Sequence, residues 1–303
     1  MAVTTMPSGP LTVAAVQVEA GSGDVAGNAR RAAERVVAAA DGGARIVVLP
    51  ELHLCGYDLP ALAANSDAEV RADAAGRVTD CRLAPLVGAA TEHAVTVVLG
   101  AAVRRADGQL ANSLLVVGDD GSVRVGYDKQ HLWRDEQELF TPGRAPAWID
   151  VDTWRLGLAI CYDMSFPEHC RRAALDGAHA YLCPSAFAAG AEHRAAVYLR
   201  ARALENTIFT VFVNPVAGPP SRPCAGTSAV HGPMGELLGA APAAAEAMVL
   251  ARLEPITLRS ARAQLRMLAE LSREIDCLTN AISVDVRGDG GRNDADSCAA
   301  GRC

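Results

Sequence analysis

Three residues whose types suit acyl transfer stand at or just beyond the ends of apolar runs: Glu51, Lys129 and Cys161. A thiol attacks carbonyl carbon, a carboxylate carries its proton, and an ammonium stabilises the oxyanion that forms. Cys161 lies in G-L-A-I-C-Y-D-M-S-F-P-E, where the apolar run stops and polar residues begin, so the thiol need not be buried. A free thiol titrates at about 8.5, and a neighbouring cation lowers this enough to supply thiolate at neutral pH. A helix opening at Pro167 brings the positive end of a dipole into the same stretch. Glu51 ends R-I-V-V-L-P-E-L. It is either a solvated residue at a strand exit or a partly desolvated general base. Lys129, in V-G-Y-D-K-Q-H-L-W, is one of very few lysines in a chain whose basic residues are nearly all arginine. It is either a surface charge or a compact cation suited to an oxyanion. His131, two residues on, leaves open a Cys–His dyad beside the plainer reading of a hydrogen-bonded loop histidine. No G-x-S-x-G motif occurs.

The elements that must hold these groups alternate short apolar runs with helical patterns, which predicts an α/β class. Strands are expected at Leu11–Val18, Arg45–Leu49, Val95–Gly100, Arg155–Ile160, Ala180–Cys183, Ile208–Val213 and Met248–Leu253. Hairpins are expected around Asp120-Gly121 and over Gly226–Leu238. Asn28 reads as the cap of a helix ending at Gly42-Gly43. Further helices are expected over Arg82–His93 and Ala191–Asn206, and a long amphipathic one over Pro255–Ile275 with Leu258, Leu265, Leu268 and Leu271 on its stripe. Strand ends are where an open α/β layer collects functional groups, because the sheet holds them rigid while the following loops leave room for a ligand.

Composition narrows the function classes. The 303 residues are 50% apolar and 21% charged, enough for a large core and too apolar for a disordered chain. The net charge of −7 argues against nucleic acid or an anionic membrane as partner. No apolar run approaches the ~20 residues that span a bilayer, and no secretory signal is visible, so a cytoplasmic location is expected. The nine cysteines are odd in number, scattered in spacing and free of C-x-x-C, so neither a disulfide framework nor a metal site is expected. No linker breaks residues 11–275, and residues 1–285 read as one domain. Residues 286–303 read as a disordered Gly/Asp-rich tail in which Cys298 and Cys303 are incidental.

Seven ordered motifs carry a resemblance. They are L-P-E-L with Gly56-Tyr57, K-x-H-L at Lys129, and E-x-x-x-F-T-P-G from Glu136 to Gly143. C-Y-D-x-x-F-P-E at Cys161 and P-S-A-F at Pro184–Phe187 follow, then R-A-L-E-N at Arg202–Asn206 and G-T-S-A-V-H-G-P-M-G at Gly226–Gly235. Over most of residues 11–255 the chain resembles the nitrilase superfamily of carbon–nitrogen hydrolases, in its amidase and carbamoylase branches, whose members share a Glu–Lys–Cys triad. The resemblance implies a four-layer α-β-β-α sandwich that works as a homodimer or larger assembly, with no metal and no organic cofactor. It matches Cys161 to the nucleophile that forms a thioester, Glu51 to the general base, and Lys129 to the oxyanion cation, with the Tyr162 N–H as second donor. Glu136, four residues before Phe140, matches a fourth acidic residue that positions the amide and water; Glu138 is its rival.

The matched segments place Tyr57, Tyr162, Ser165, Ser185 and Phe187 around a small-molecule amide or carbamoyl substrate. C-Y-D rather than C-W-E after the nucleophile tips the reading toward a linear amide over a nitrile. Ser165 stands where relatives often carry arginine, which removes the usual partner for a substrate carboxylate; Arg171, Arg172 and Arg194 are the substitutes at hand. The tract Ala186–Arg194 is expected to border the pocket, with Glu192 either facing a cationic substrate or solvated at a helix start. The expected activity is hydrolysis of a small linear amide. An N-carbamoyl hydrolase is the alternative, and a non-catalytic binding protein is disfavoured because a scaffold needs none of the three reactive groups.

Overall fold

In the computed structural model, residues 5–274 are described. Two mixed sheets stack face to face. The first has seven strands, and its main path runs Ala247–Leu253, Leu11–Gln17, Ile46–Val48, Thr96–Arg104, Leu110–Val117 and Val123–Asp128, with Val70–Arg71 pairing beside Thr96–Arg104. The second has six, in the order Leu237–Ala240, Ala229–His231, Phe209–Val213, Ala180–Pro184, Trp154–Leu158 and Ala147–Val151.

The period-two geometry of a strand explains the layering. In Leu11–Gln17, Leu11, Val13 and Ala15 join the core shared with Leu156, Leu158 and Val211 of the other sheet. Ala14 and Val16 face the opposite way, into a core closed by Ala29, Ala32 and Val36 of helix Val25–Asp41 and by Leu86 and Ala90 of helix Ala84–Glu92. Helices Pro167–Leu175 and Glu192–Asn206 pack on the second sheet through Cys170, Ala173, Ala195 and Leu199. The result is the four-layer α-β-β-α sandwich.

Three local expectations are corrected. The first helix is capped by Asp24, whose Oδ1 accepts from Gly27 N at 2.8 Å. Asn28 lies inside that helix and fully buried, its amide donating to the carbonyls of Gly21 (2.7 Å) and Leu54 (3.0 Å). The C-terminal helix is two: Pro255–Gln264 stops at an extended Leu265, and Met267–Glu274 follows. A leucine stripe keeps its spacing across such a break when no glycine or proline marks it, so periodicity alone merges the two pieces. Ile275 lies outside the described residues, as do Cys277, Cys298, Cys303 and the tail read over 286–303. Strand Ala147–Val151, which pairs antiparallel with Trp154–Leu158, was not anticipated; it is an edge strand whose alternate residues face water. No helix among the described residues is long and apolar enough to cross a membrane.

Candidate active site

The two sheets deliver the reactive residues from opposite sides. After Ile46–Val48 the chain turns at Glu51, and the next residue, Leu52, takes a left-handed φ of 50°. This turn presses against Gly100, where any Cβ would collide with Leu52 N and the Glu51 backbone, so only glycine fits. Glu51 N donates across the sandwich to the Ser185 carbonyl at 3.3 Å. Lys129 follows strand Val123–Asp128 and is tied on both sides: its N–H donates to Asn112 O, and its carbonyl accepts from Gly143 N, each at 2.8 Å. Gly143 closes the F-T-P-G motif for a steric reason, because a Cβ there would meet the Asp128 carbonyl. Cys161 opens a 3-10 turn, Cys161–Ser165, directly after the apolar run Trp154–Ile160. Its own φ is 45°, a strained value for a residue with a Cβ, which the surrounding hydrogen bonds must hold.

Glu51, Lys129 and Glu136 meet in a fully enclosed cluster, with side-chain exposures of 0%. Lys129 Nζ donates to Glu51 Oε1 at 2.6 Å and to Glu136 Oε1 at 2.8 Å. An ammonium has three N–H groups, so one remains for a third acceptor. Glu51 Oε1 also accepts from Asn112 Nδ2 at 2.8 Å, whereas Glu51 Oε2 is buried with no hydrogen-bond partner among the described residues. Glu136 is held by the Tyr57 hydroxyl at 2.5 Å and by Trp133 N at 2.8 Å. Its rival Glu138 lies exposed on the far side of the short helix Glu136–Leu139.

Burial dominates the electrostatics. It raises Glu51 above its ordinary 4.5; the Lys129 ammonium opposes that rise and Glu136 adds to it. Burial pulls Lys129 down, but Glu51 and Glu136 outweigh it, and the group stays an ammonium well into alkali. The Cys161 thiol is 7% exposed, contrary to the freer position expected of it. Burial and then the Glu51 charge push it well above 9.0, with Lys129 and the Ala186 N–H pulling the other way. Burial, helped by nearby carboxylates, also raises Cys55 and Cys183, each pushed up to about 12. What sets Cys161 apart is its company: it feels Glu51, Lys129 and Glu136 together. The thiol therefore rests protonated, within the field of a carboxylate whose Oε2 has no hydrogen-bond partner among the described residues.

A second buried group ties the Lys129 loop to the Cys161 turn. Asp163 Oδ1 accepts from His131 N (3.0 Å) and pairs with His131 Nδ1 (2.8 Å). Its Oδ2 accepts from Ile160 N (2.9 Å) and from the Tyr127 hydroxyl (2.8 Å), which also contacts His169 Nε2 at 2.9 Å. Burial works to raise Asp163, but the His131 hydrogen bond, His169 and the Ile160 N–H prevail and hold it below its ordinary 3.8. His131 stacks on Phe166 at 3.8 Å and is spent on this web, which is the loop-histidine reading rather than the dyad.

A cavity of about 230 Å3 opens at Cys161, and Tyr162, Ser165 and Phe187 line it as expected. Tyr57 lines the neighbouring cavity of about 280 Å3 and touches the cluster through its hydroxyl. The Ser185 hydroxyl is buried and donates to the Cys183 carbonyl at 3.1 Å, away from both cavities. Glu192 lines a different, apolar groove and accepts from Gly190 N at 2.9 Å, so it does not face the Cys161 cavity. Three lining residues went unread: Trp133, Arg134 and Arg222. The first two directly follow K-x-H-L, and Arg222 is the one charged residue in the P-P-S-R-P stretch. Among the described residues no cluster of His, Cys, Asp and Glu could hold a metal ion.

Two stacked mixed sheets flanked by helices, with a buried carboxylate–ammonium cluster whose charges reach a cysteine at a strand end, are the architecture of a hydrolytic α/β enzyme. The chain belongs to the carbon-nitrogen hydrolase family, whose sequence model matches residues 12–263, and so to the nitrilase superfamily. Among its relatives, the "hydrolase in pqqF 5'region" of Pseudomonas protegens is 32% identical over 255 residues, covering 83% of this chain and 86% of that one. The 2-oxoglutaramate amidase of Bacillus subtilis is 28% identical over 229 residues, covering 75% and 85%. An amidase from Nesterenkonia sp. AN1, solved with acrylamide added covalently to its active-site cysteine, superposes with a TM-score of 0.71 at 26% identity, covering 84% of this chain and 98% of that one.

Proposed function

We propose that the protein hydrolyses the carbon–nitrogen bond of a small linear amide through a thioester on Cys161. The observation that carries this reading is the unpartnered Glu51 Oε2, buried in the cluster whose charges Cys161 feels. The Cys161 sulfur attacks the amide carbon while Glu51 takes the thiol proton. The third N–H of Lys129 and the Tyr162 N–H, at the open start of a 3-10 turn, face the resulting oxyanion. Glu51 then gives its proton to the departing nitrogen, ammonia or an amine leaves, and the carbonyl re-forms as a thioester. Water enters where the amine left, Glu51 takes its proton, and hydroxide attack frees the acid. Return of the proton to sulfur restores the thiol. Glu136, fixed by Tyr57, Trp133 and Lys129, lies where it can orient the amide and the water. The amidase names of several relatives support an amide over a nitrile.

Ammonia release from a panel of short amides, carbamoyl compounds and nitriles tests the reading, together with intact-mass detection of an acyl adduct on Cys161. Turnover that survives Cys161→Ala overturns it. Carbon dioxide accompanying the ammonia would move the activity to carbamoyl substrates.

A further inference from the structure

The chain is acidic, at −7, yet the lining of the Cys161 cavity holds three arginines and no acidic residue. None of the three is in an ion pair among the described residues. Each guanidinium lies over an aromatic ring instead: Arg134 over Trp133 at 4.9 Å, Arg194 over Phe187 at 5.3 Å, and Arg222 over Tyr57 at 4.2 Å. Arg134 and Arg194 are exposed at the mouth. Arg222 is different. It is half-buried, and its Nη1 is shielded from water with no hydrogen-bond partner. A buried N–H of a charged group left unpaired is costly, and a folded chain rarely leaves one without a use.

We infer that Arg222 receives a carboxylate at the far end of the substrate, so that the amide hydrolysed here belongs to a short linear acid. This rests on the amidase reading above and names the substrate class for it. A planar guanidinium presents two parallel N–H groups that match a carboxylate, which suits Arg222 better than a point charge would. The Tyr57 ring packs against the guanidinium at 4.2 Å, and Arg222 lines the cavity that ends at Cys161. Asp58 and Asp135 line the neighbouring cavity beyond Arg222 and Trp133, so an anion is repelled from that side and drawn to the thiol side. Arg134 and Arg194 then act at the entrance, raising the local concentration of an anionic substrate. This assigns the carboxylate partner to Arg222, from a loop far in sequence from the position Ser165 leaves vacant.

The test uses glutaramate and pentanamide, five-carbon amides that differ in one carboxylate. Calorimetric titration into the Cys161→Ala protein gives affinities without turnover. Glutaramate is expected to bind about 10- to 100-fold more tightly, the worth of one or two charge-assisted hydrogen bonds. Adding Arg222→Gln should bring the ratio close to one, and Arg222→Lys should restore part of it. Equal affinities in the Cys161→Ala protein, or a ratio untouched by Arg222→Gln, overturns the assignment. Ammonia release by the unmodified enzyme reports on the amidase reading separately: turnover of pentanamide with no preference for glutaramate sinks Arg222 alone, whereas binding without turnover of either sinks the reaction.

Discussion

Replacing Asp163 by Asn changes one oxygen for an NH2 group and should cost the enzyme both stability and rate. Asp163 has two oxygens and four partners: His131 N and Nδ1 on Oδ1, Ile160 N and the Tyr127 hydroxyl on Oδ2. An amide has a single acceptor oxygen. If its NH2 faces Tyr127, that hydroxyl can turn to donate to His169 Nε2, but the Ile160 N–H loses its acceptor. If the NH2 faces His131, the ring nitrogen can become the acceptor, but the His131 backbone N–H is orphaned. Either rotamer therefore leaves one buried backbone donor unpaired, at ~1–3 kcal/mol, and weakens the rest from charge-assisted to neutral. The sum is roughly 3–5 kcal/mol, or a fall in Tm of about 5–8 °C for a chain of this length. Because Ile160 precedes the nucleophile and His131 follows Lys129, the same loss loosens both, so kcat should fall more than KM rises. The sign with pH follows from the depressed Asp163. Its contribution is present above the unfolded carboxylate value and is lost as pH falls through the lower folded one. The stability gap between the two proteins should thus stay constant through neutral pH and close only in acid. Thermal and urea unfolding from about pH 2 to 8, reaching below the depressed Asp163 value, with steady-state kinetics at pH 7, measure all of this. A variant within about 1 °C of the parent and with unchanged kcat would refute the reasoning, since that shift is below ~0.7 kcal/mol.

Three further outcomes follow from the Glu51–Lys129–Glu136 cluster. The acid limb of kcat/KM reports ionisation of Glu51 and should lie above the ordinary 4.5 of a glutamate; Glu136→Gln removes a neighbouring negative charge and should slide that limb to lower pH in a pH–rate profile. Lys129→Arg should fail to substitute, because a fork-shaped guanidinium overfills a site with no exposure at ~1–3 kcal/mol and misplaces the oxyanion donor at ~10²–10³ in kcat. Lys129→Met should lower stability by roughly 3–5 kcal/mol, since two buried carboxylates lose their shared cation, and urea midpoints would show it.

Much of this site is legible in the chain because its parts are local. Glu51, Lys129 and Cys161 each sit where an apolar run ends, and the runs themselves predict most of the strands. The capping of the first helix misleads because Asp24 and Asn28 are both good cap residues; only the distant Leu54 carbonyl, which takes the Asn28 amide, decides between them. Asn112 is harder still. It lies within Leu110–Val117, a strand that reads as core, and its purpose exists only because a neighbouring strand end sets Glu51 Oε1 against it.

Composition holds one more signal. Lys129 is the only lysine among 303 residues, where every other basic side chain except histidine is arginine. A chain that places arginine at each surface ion pair, at the cavity mouth and over aromatic rings has no general need for lysine. Its one lysine is fully buried, with a carboxylate on two sides and the third N–H left over. Arginine and lysine differ there in shape and hydration rather than in charge. The same contrast separates the cations around Cys161: the compact ammonium lies buried between two carboxylates, whereas the three forked guanidiniums that line the cavity lie over aromatic rings.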